Sequence, residues 1–545
     1  MTSEPSNLQL SNLQPATLLG QRLKDMAQQI IKAIKSNWVV GAIASLTVIL
    51  FGGWSGTVIG WLLGTAAGFL ACQGKRIPTP QVGARIGANA GLALGVWILV
   101  ASVIEGFVIR PLSGQSSPGL FQILQFAILA LLVTTLAGGV MGSLQGLPNP
   151  RRRQATLVTL AFILIIFPFV DQVAQTSWIA TTIEILIYVI LALGLNIPVG
   201  YAGLLDLGYA AFFAIGAYTT GLLSSPQLNI EWNFWLVLPI AAVVAALSGV
   251  ILGAPTLRLR GDYLAIVTLG FGEIVPVVFR NLTEVRIDEP ISKLFGNLFG
   301  HPEWGICLLG CTRPMNLTNG EAGINPIGRP ALPIVGTFDA SNYLPWYYLI
   351  LALVVFSYIM IDRLRESRLG RSWAAVREDE LAASAMGINL VKTKLLAFAM
   401  GATFSGFGGA FYAAYISAIF PTVFDFSVSV IILCMVILGG LGNMTGVILG
   451  GIIIMAADRL YLPQLAKVLK DFLNTSVLPN IPNPQLQDFI STSLDPIQMR
   501  LFLFGLTLVV MMIVRPEGLV PDATRQAELH GEGVTDESLA DARSQ

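Results

Sequence analysis

Two carboxylates, Asp206 and Glu273, lie in stretches of the chain that are otherwise apolar. A charge at the centre of a bilayer costs about 2.5–3.5 kcal/mol or more, so each side chain must face protein or water if these stretches cross a membrane. They are candidates to line a polar path that faces a substrate ammonium group, with Tyr209 and Thr268 as weaker candidates, or to carry protons or sodium ions. The alternative is that each is a satisfied interior carboxylate that stabilises a helix break.

The stretch 362–394 is strongly basic, with seven Lys and Arg residues. Within it, Ala374–Met386 is rich in alanine and contains no Gly or Pro, which predicts a helix, and Gly387 is a suitable stop. A short helix between two membrane spans could receive force from another subunit, and a solvated loop with one helical turn is the alternative. The polar side chains expected to project from this region are Arg371, Arg377, Glu378 and Asp379.

The residue types present give little support for metal binding, nucleophilic catalysis or nucleotide binding by this chain. The chain has two histidines, His301 and His530, which lie in different compartments on the expected topology, so a histidine cluster is excluded. Cys307 and Cys311 are spaced for a small disulfide or for two free thiols, and a zinc site would lack further ligands. The chain contains no Gly-x-x-x-x-Gly-Lys-[Ser/Thr] phosphate loop, so any ATP chemistry must come from a partner.

The elements that must position these residues are membrane helices. Of 545 residues, 54% are hydrophobic and only 12% are charged, whereas an ordinary soluble domain has about 25% charged residues. Long apolar runs of about 20 residues are typical of membrane helices and not of β-barrel strands. The 32 basic and 32 acidic residues leave no net charge that would favour nucleic acid. The predicted class is an all-α polytopic membrane protein.

The apolar runs divide the chain into four parts. Residues 1–37 are expected to be a cytoplasmic segment, either frayed or an interfacial helix, because no signal-peptide pattern is present. Residues 38–150 hold about four spans, and 151–521 hold about ten, with helix breaks predicted around Gly200–Gly208 and Gly439–Gly446. Residues 522–545 are expected to be a disordered acidic tail.

Glycine recurs at every fourth position in the second, third and fourth spans of the 38–150 extension, which places the glycines on one face of each helix. Such faces let two helices approach closely in lipid. The pattern favours packing or assembly, with a pore or ligand role as the alternative. The glycines concerned are Gly52, Gly56, Gly60, Gly64, Gly68, Gly83, Gly87, Gly91, Gly95, Gly138, Gly142 and Gly146.

The distribution of Lys and Arg predicts the orientation of the spans, because these residues are enriched in cytoplasmic loops. Placing the N-terminus inside puts the basic residues near 75, 151, 258 and the whole 362–394 loop in the cytoplasm. The long 281–344 loop is then outside, and fourteen crossings would return the C-terminus to the cytoplasm.

Six blocks in order give the chain a specific resemblance to a known family. The segment Gly370-Arg-Ser-Trp-Ala-Ala-Val-Arg-Glu-Asp-Glu-Leu-Ala-Ala-Ser-Ala-Met-Gly-Ile-Asn389 resembles the cytoplasmic coupling loop of permeases from branched-chain amino acid ABC importers, in particular the LivM-type subunit. The other blocks, which extend the resemblance over roughly 156–521, are Leu195–Tyr209 with Ala211–Tyr218, Leu257–Ile274, Leu317–Ile324, Leu438–Gly446 and Arg515–Leu519.

The resemblance implies a bacterial inner-membrane importer with several subunits. It implies a second, LivH-type permease, two ABC ATPase subunits, a periplasmic amino-acid-binding protein, and ATP bound only by the ATPases, with no cofactor on this chain and no enzymatic activity of its own. The helix 374–386 would sit in a groove of an ATPase, with Arg371, Arg377, Glu378 and Asp379 making polar contacts.

The sequence departs from the family pattern in two places, and it leaves three other functions open. The four-span extension is longer than the N-terminal lead usual in this family, and the 281–344 loop carries an insert around 301–313. A related permease for urea or short amides, an ion-coupled secondary amino acid transporter, and a non-transporting membrane scaffold are the alternatives to a branched-chain amino acid importer.

Overall fold

The computed structural model of the chain describes residues 38–51, 63–68, 71–72, 79–109, 120–174, 178–228, 230–256, 262–283, 316–332, 336–339, 341–477, 499–514 and 518–520. The two terminal segments and the Cys307/Cys311 pair lie outside the described residues. The chain divides into two compact units, Met1–Trp178 with Tyr461–Ile497 and Ile179–Leu460 with Gln498–Gln545.

Membrane-compatible helices dominate the described residues, which confirms the all-α membrane class. Eight helices in this part of the chain are long and apolar enough to cross a membrane, and four shorter apolar helices accompany them. The strands in the described part form one antiparallel hairpin, β1 (Ala331–Leu332) with β2 (Gly336–Thr337). The division into about four and about ten spans stays a prediction.

The first unit contains five named helices. They are α1 (Trp38–Phe51), α2 (Pro80–Ile104), α3 (Leu120–Gln145), α4 (Asn149–Ala174) and, from much later in the chain, α15 (Leu462–Phe472). Residues 63–68 and 71–72 are also helical. A π-helical turn, Glu105–Ile109, continues α2.

Helices α2 and α3 make the most extensive helix pair of the first unit. Glycines of the two helices face each other: a Cβ atom built on Gly87 would collide with the carbonyl oxygen of Gly138, and one built on Gly138 would collide with that of Gly87. The two backbones are therefore in direct contact, which no larger residue would permit. Alanine and leucine side chains, among them Ala90, Leu94 and Ala130, fill the core beside this seam.

Helix α15 packs against α1 within the same unit. The hydroxyl groups of Thr47 on α1 and Tyr461, the residue that precedes α15, lie 2.6 Å apart in a hydrogen bond. The segment after residue 460 thus joins a structural unit whose other helices all come from the first 178 residues.

The second unit is a bundle built around α5. Its helices are α5 (Ile179–Leu195), α6 (Tyr209–Ser224), α7 (Phe234–Thr256), α8 (Asp262–Asn281), α9 (Tyr343–Glu366), α10 (Arg368–Glu378), α11 (Glu380–Ala385), α12 (Leu390–Ile416), α13 (Phe426–Gly439), α14 (Met444–Ala456) and α16 (Arg500–Val514). The span that contains α5 is 89% buried, as expected for a helix that is apolar on all sides. Helices α9, α12, α13 and α14 surround it.

Several connections of the second unit meet at one end, which we call the loop end (residues 196–208, 362–394, 439–444 and 518–520). The side-chain oxygen of Asn196 accepts a hydrogen bond from Gly442 N at 3.0 Å, and Leu519 N donates to Leu438 O. The other ends of α6, α8 and α12 meet residues 316–332. Ile324 in this segment forms a β-bridge with Ile419, which follows α12. The predicted break around Gly439–Gly446 is confirmed, since α13 ends at Gly439 and α14 begins at Met444.

Candidate functional site at a broken helix

The predicted break around Gly200–Gly208 is present in the structure. Helix α5 ends at Leu195, a π-helical turn covers Ile197–Tyr201, and α6 begins only at Tyr209. Pro198 has no N–H to continue the helix, and Gly203 adopts a φ of 70°, which is unfavourable for any other residue. Polar backbone groups are therefore freed inside the bundle, where protein groups must satisfy them.

Asp206 and Thr268 are brought together at this break. Asp206 is buried, and its Oδ1 accepts a hydrogen bond from Gly208 N at 2.9 Å, while Thr268 Oγ1 accepts one from Leu207 N at 3.1 Å. The second carboxylate oxygen of Asp206 has no hydrogen-bond partner among the described residues. Both side chains line a small cavity of about 10 Å³, closed mainly by Phe212, Leu252, Val267, Phe271 and Phe398, which has room for roughly one water molecule.

Tyr209 and Glu273 do not line this cavity. Tyr209 is fully buried, and its hydroxyl donates to Gly401 O on α12 at 2.9 Å, so it ties α6 to α12. Glu273 lies on the exposed side of α8, away from the cavity. Of the four candidates, Asp206 and Thr268 line the cavity, and Tyr209 and Glu273 do not. Their roles in a substrate path stay predictions.

The stability of the folded chain is expected to fall as the pH rises through the range in which the Asp206 carboxyl loses its proton. Asp206 lies in the connection between two spans, and burial, partly opposed by the Gly208 hydrogen bond, raises its pKa from 3.8 to about 7. The folded state then binds a proton more tightly than the unfolded state, so this stabilisation is complete below about pH 4 and is lost by about pH 7. Asp206→Asn keeps an oxygen for Gly208 N and should abolish this dependence.

The measurement is the thermal unfolding midpoint of the purified chain in detergent at pH 5 and pH 8. The difference between the two pH values should be smaller in the Asp206→Asn variant than in the wild type. Equal differences in the two proteins would show that Asp206 does not titrate in this range.

The charged stretch 362–394 folds as two short helices and not as the single helix predicted over 374–386. Helix α10 ends at Glu378, and α11 begins at Glu380. Asp379 lies between them as an N-cap, and its Oδ1 accepts hydrogen bonds from Leu381 N at 2.8 Å and Ala382 N at 3.1 Å. An aspartate at the N-cap position stabilises the start of a helix. Asp379 therefore separates α10 from α11. Gly387 follows α11 with a φ of 85°, as a helix stop requires.

The five residues that the sequence singles out in this loop, the four polar coupling candidates and the helix stop Gly387, occupy different environments. Arg371, Glu378, Asp379 and Gly387 are exposed. Arg377 is only partly exposed, and its Nη1 donates to the carbonyl oxygen of Gly200 at 2.6 Å. The loop therefore presents four of these residues outward and directs the fifth to the helix break.

The two loop helices are firmly attached to the start of α12. Trp373 is fully buried, and its indole N–H donates to Thr393 O at 2.8 Å. The Lys394 Nζ atom, on a nearly buried side chain, lies 2.6 Å from Glu380 Oε1. These contacts cross from α10 and α11 to α12, so the loop is a packed element and not a solvated turn.

Two features of the second unit were not assigned a role from the sequence. One is the contact of Asn196 with Gly442, which depends on the tertiary arrangement. The other is an ion-pair group at the opposite end of the unit, in which Arg459 Nε lies 3.3 Å from Glu184 Oε2 and 3.4 Å from Asp458 Oδ2. Opposite charges at the edges of two predicted spans could have indicated this second group, because intramembrane charges usually pair.

Comparison with known proteins relates the sequence of this chain to a family. The family model described as "Branched-chain amino acid transport system / permease component" matches residues 177–512, more than half of the chain. The high-affinity branched-chain amino acid transport system permease protein LivM of Escherichia coli (strain K12) is 37% identical over 69% of this chain and 77% of its own length.

More distant relatives extend the comparison. The probable branched-chain amino acid transport permease protein LivM of Methanocaldococcus jannaschii is 24% identical over 62% of this chain and 91% of its own length. The high-affinity branched-chain amino acid transport system permease protein LivH of Escherichia coli (strain K12) is 24% identical over 53% of this chain and 87% of its own length. No solved structure matches the chain.

The matched region begins two residues before α5 and ends within α16, so it contains the broken helix, the cavity beside Asp206 and both loop helices. The chain belongs to the family of permease components of branched-chain amino acid transport systems.

Proposed function

We propose that this protein is the membrane-spanning permease subunit of an ATP-driven importer that carries branched-chain or other neutral amino acids. The observation that carries the proposal is the packed pair of loop helices, α10 and α11, held outside the spans in a chain whose family consists of transport permeases. A secondary transporter has no need of a rigid, outward-presented loop of this kind. The permease itself performs no reaction and binds no cofactor.

The exposed side of the loop helices is the proposed docking surface for an ATPase. Leu381 is 69% exposed and Met386 is 85% exposed, and neither lies in a membrane-compatible helix. Exposed apolar side chains rimmed by charges are typical of protein interfaces. Arg371, Glu378 and Asp379 supply that charged rim. Two ATPase subunits, one for each permease of a pair, would bind ATP and close on each other.

Helix α8 is the proposed contact with a second permease and part of the substrate path. Its span is 33% buried, and Glu273 lies on the exposed side. An exposed carboxylate at membrane depth must be covered by protein or water, and a partner permease with a path between the two subunits provides both. A LivH-type protein is the proposed partner, since a protein of that name is also similar to this chain. Asp206, Tyr209 and Thr268 would then lie behind this face.

The loop end is proposed to face the cytoplasm of a bacterial cell, with both termini on the same side. The basic residues of 362–394 support this orientation. The opposite end, with the β1–β2 hairpin, would then receive substrate from a periplasmic amino-acid-binding protein. The first unit is proposed to serve assembly and abundance of the permease and not its selectivity.

The test is uptake by the complete importer in liposomes, with the second permease, the ATPases and the binding protein present. Labelled leucine should accumulate only when ATP is supplied to the ATPases, and labelled urea should not. Leucine accumulation driven by an ion gradient without ATPases would favour a secondary transporter. Urea uptake in place of leucine uptake would identify an amide permease.

A further inference from the structure

We infer that Arg377 is a positioning residue that connects the loop helices to the helix break, so that movement of the loop reaches the segment carrying Asp206. This inference rests on the proposed function, because it is the ATPase that would move the loop. It assigns Arg377 a contact within the permease and separates it from the other charged residues of the loop.

A hydrogen bond joins Arg377 directly to the helix break. The guanidinium of Arg377 reaches across to the π-helical turn after α5 and donates to Gly200 O at 2.6 Å. In an uninterrupted helix that carbonyl would accept from the N–H of residue 204. Here Leu204 N donates to Pro198 O at 2.8 Å. The break therefore frees the Gly200 carbonyl, and a charged donor from the loop takes the place of the missing backbone N–H.

The Arg377 side chain also packs closely against Gly203. A Cβ atom at Gly203 would lie 3.0 Å from Arg377 Cγ, and the φ of 70° at this position already disfavours other residues. The aliphatic part of Arg377 thus lies directly over a bare stretch of backbone. The contact requires the absence of a side chain at Gly203 as well as the charge of Arg377.

Both sides of this contact are fixed to larger elements. On the loop side, Trp373 and Lys394 attach α10 and α11 to α12. On the break side, the segment 196–208 is attached to α8 through the hydrogen bond from Leu207 N to Thr268, and to the α13–α14 turn through Asn196. A displacement of α10 is therefore passed through Arg377 to three further helices at the loop end.

The test compares substitutions on the two sides of the contact in the complete importer. Arg377→Gln and Gly203→Ala should each leave co-purification of the ATPases and basal ATP hydrolysis unchanged, and should each lower the amino acid imported per ATP hydrolysed at least tenfold. Arg377→Lys, which keeps a cationic donor, should recover part of the loss. Lys392→Gln, an exposed cation at the start of α12, should behave as the wild type.

Two results would overturn the inference. A proportional loss of ATPase binding, hydrolysis and uptake in Arg377→Gln would place the residue at the ATPase surface instead. An unchanged ratio of import to hydrolysis in both variants would show that the contact transmits nothing.

A measurement on the isolated chain separates this inference from the proposed function. The thermal unfolding midpoints of Arg377→Gln, Gly203→Ala and the double variant form a double-mutant cycle. The unfolding midpoint of the double variant should be no lower than that of the less stable single variant, since each change removes the same contact. Additive effects would overturn the inference even if the importer carries leucine, whereas a wild type that imports no leucine, with a non-additive cycle, would overturn only the proposed function.

Discussion

Gly87→Ala is expected to destabilise the first unit, whereas Gly139→Ala is expected to leave it unchanged or more stable. Both glycines lie in helices, where alanine is favoured over glycine by about 0.8–1.0 kcal/mol. The new Cβ at residue 87 would meet the backbone carbonyl of Gly138, while at residue 139 the nearest atom is the Ala88 Cβ at 3.5 Å, an ordinary contact. Overpacking of this kind costs about 1–3 kcal/mol, which outweighs the gain in helix propensity at residue 87 only.

The measurement is the thermal unfolding midpoint in detergent, with limited proteolysis to locate the destabilised part. The midpoint of Gly87→Ala should fall below that of the wild type, and new cleavage should appear within residues 79–145. Equal midpoints for the two variants would mean that α2 and α3 do not pack through Gly87. If the first unit serves assembly, as proposed above, Gly87→Ala should also reduce the amount of importer in the membrane without changing its preference for leucine over urea.

Leu381→Glu is expected to abolish uptake by preventing the ATPase from binding. The Leu381 side chain is 69% exposed on α11, so the substitution disturbs little within the permease itself. A carboxylate buried in an interface without a partner costs several kcal/mol, which corresponds to a loss of binding of well over tenfold. Co-purification of the ATPases and leucine uptake should fall together, at an unchanged unfolding midpoint of the isolated permease.

Leu332→Glu is the matched control, because Leu332 is also an exposed leucine but lies in the β1–β2 hairpin at the opposite end of the second unit. The amount of ATPase that co-purifies with the Leu332→Glu variant should equal the amount that co-purifies with the wild type. ATPase binding that survives in Leu381→Glu would remove α11 from the proposed docking surface and leave the function of the loop helices unexplained.

The helix break was predictable from the sequence because its causes are local. Pro198 and the nearby glycines interrupt an apolar run, and their conformational preferences do not depend on distant residues. The capping role of Asp379 is local too, but the high helix propensity of the surrounding alanines outweighed it in the prediction. Propensity summed over a window conceals a single residue that favours a helix start over a helix interior.

The relations among the candidate residues could not be derived from the sequence. Asp206 and Glu273 have the same chemistry and similar apolar surroundings in sequence, yet one is buried beside a cavity and the other is exposed. Which face of α8 packs inward is decided by its contacts with α6, which begins more than fifty residues earlier in the chain. The direction of Arg377 likewise depends on how the loop end is assembled, because its partner is a backbone carbonyl 177 positions away.

The hydrogen bond between Thr47 and Tyr461, and the packing of α15 on α1, have a consequence for truncation experiments. A variant that begins at residue 151 would lose α1 and leave the surface of α15 uncovered. Low uptake by such a variant would therefore not show that the extension acts in transport. A deletion that tests the extension has to shorten the segment after Tyr461 as well. For the same reason, we expect natural relatives either to contain both α1 and α15 or to lack both.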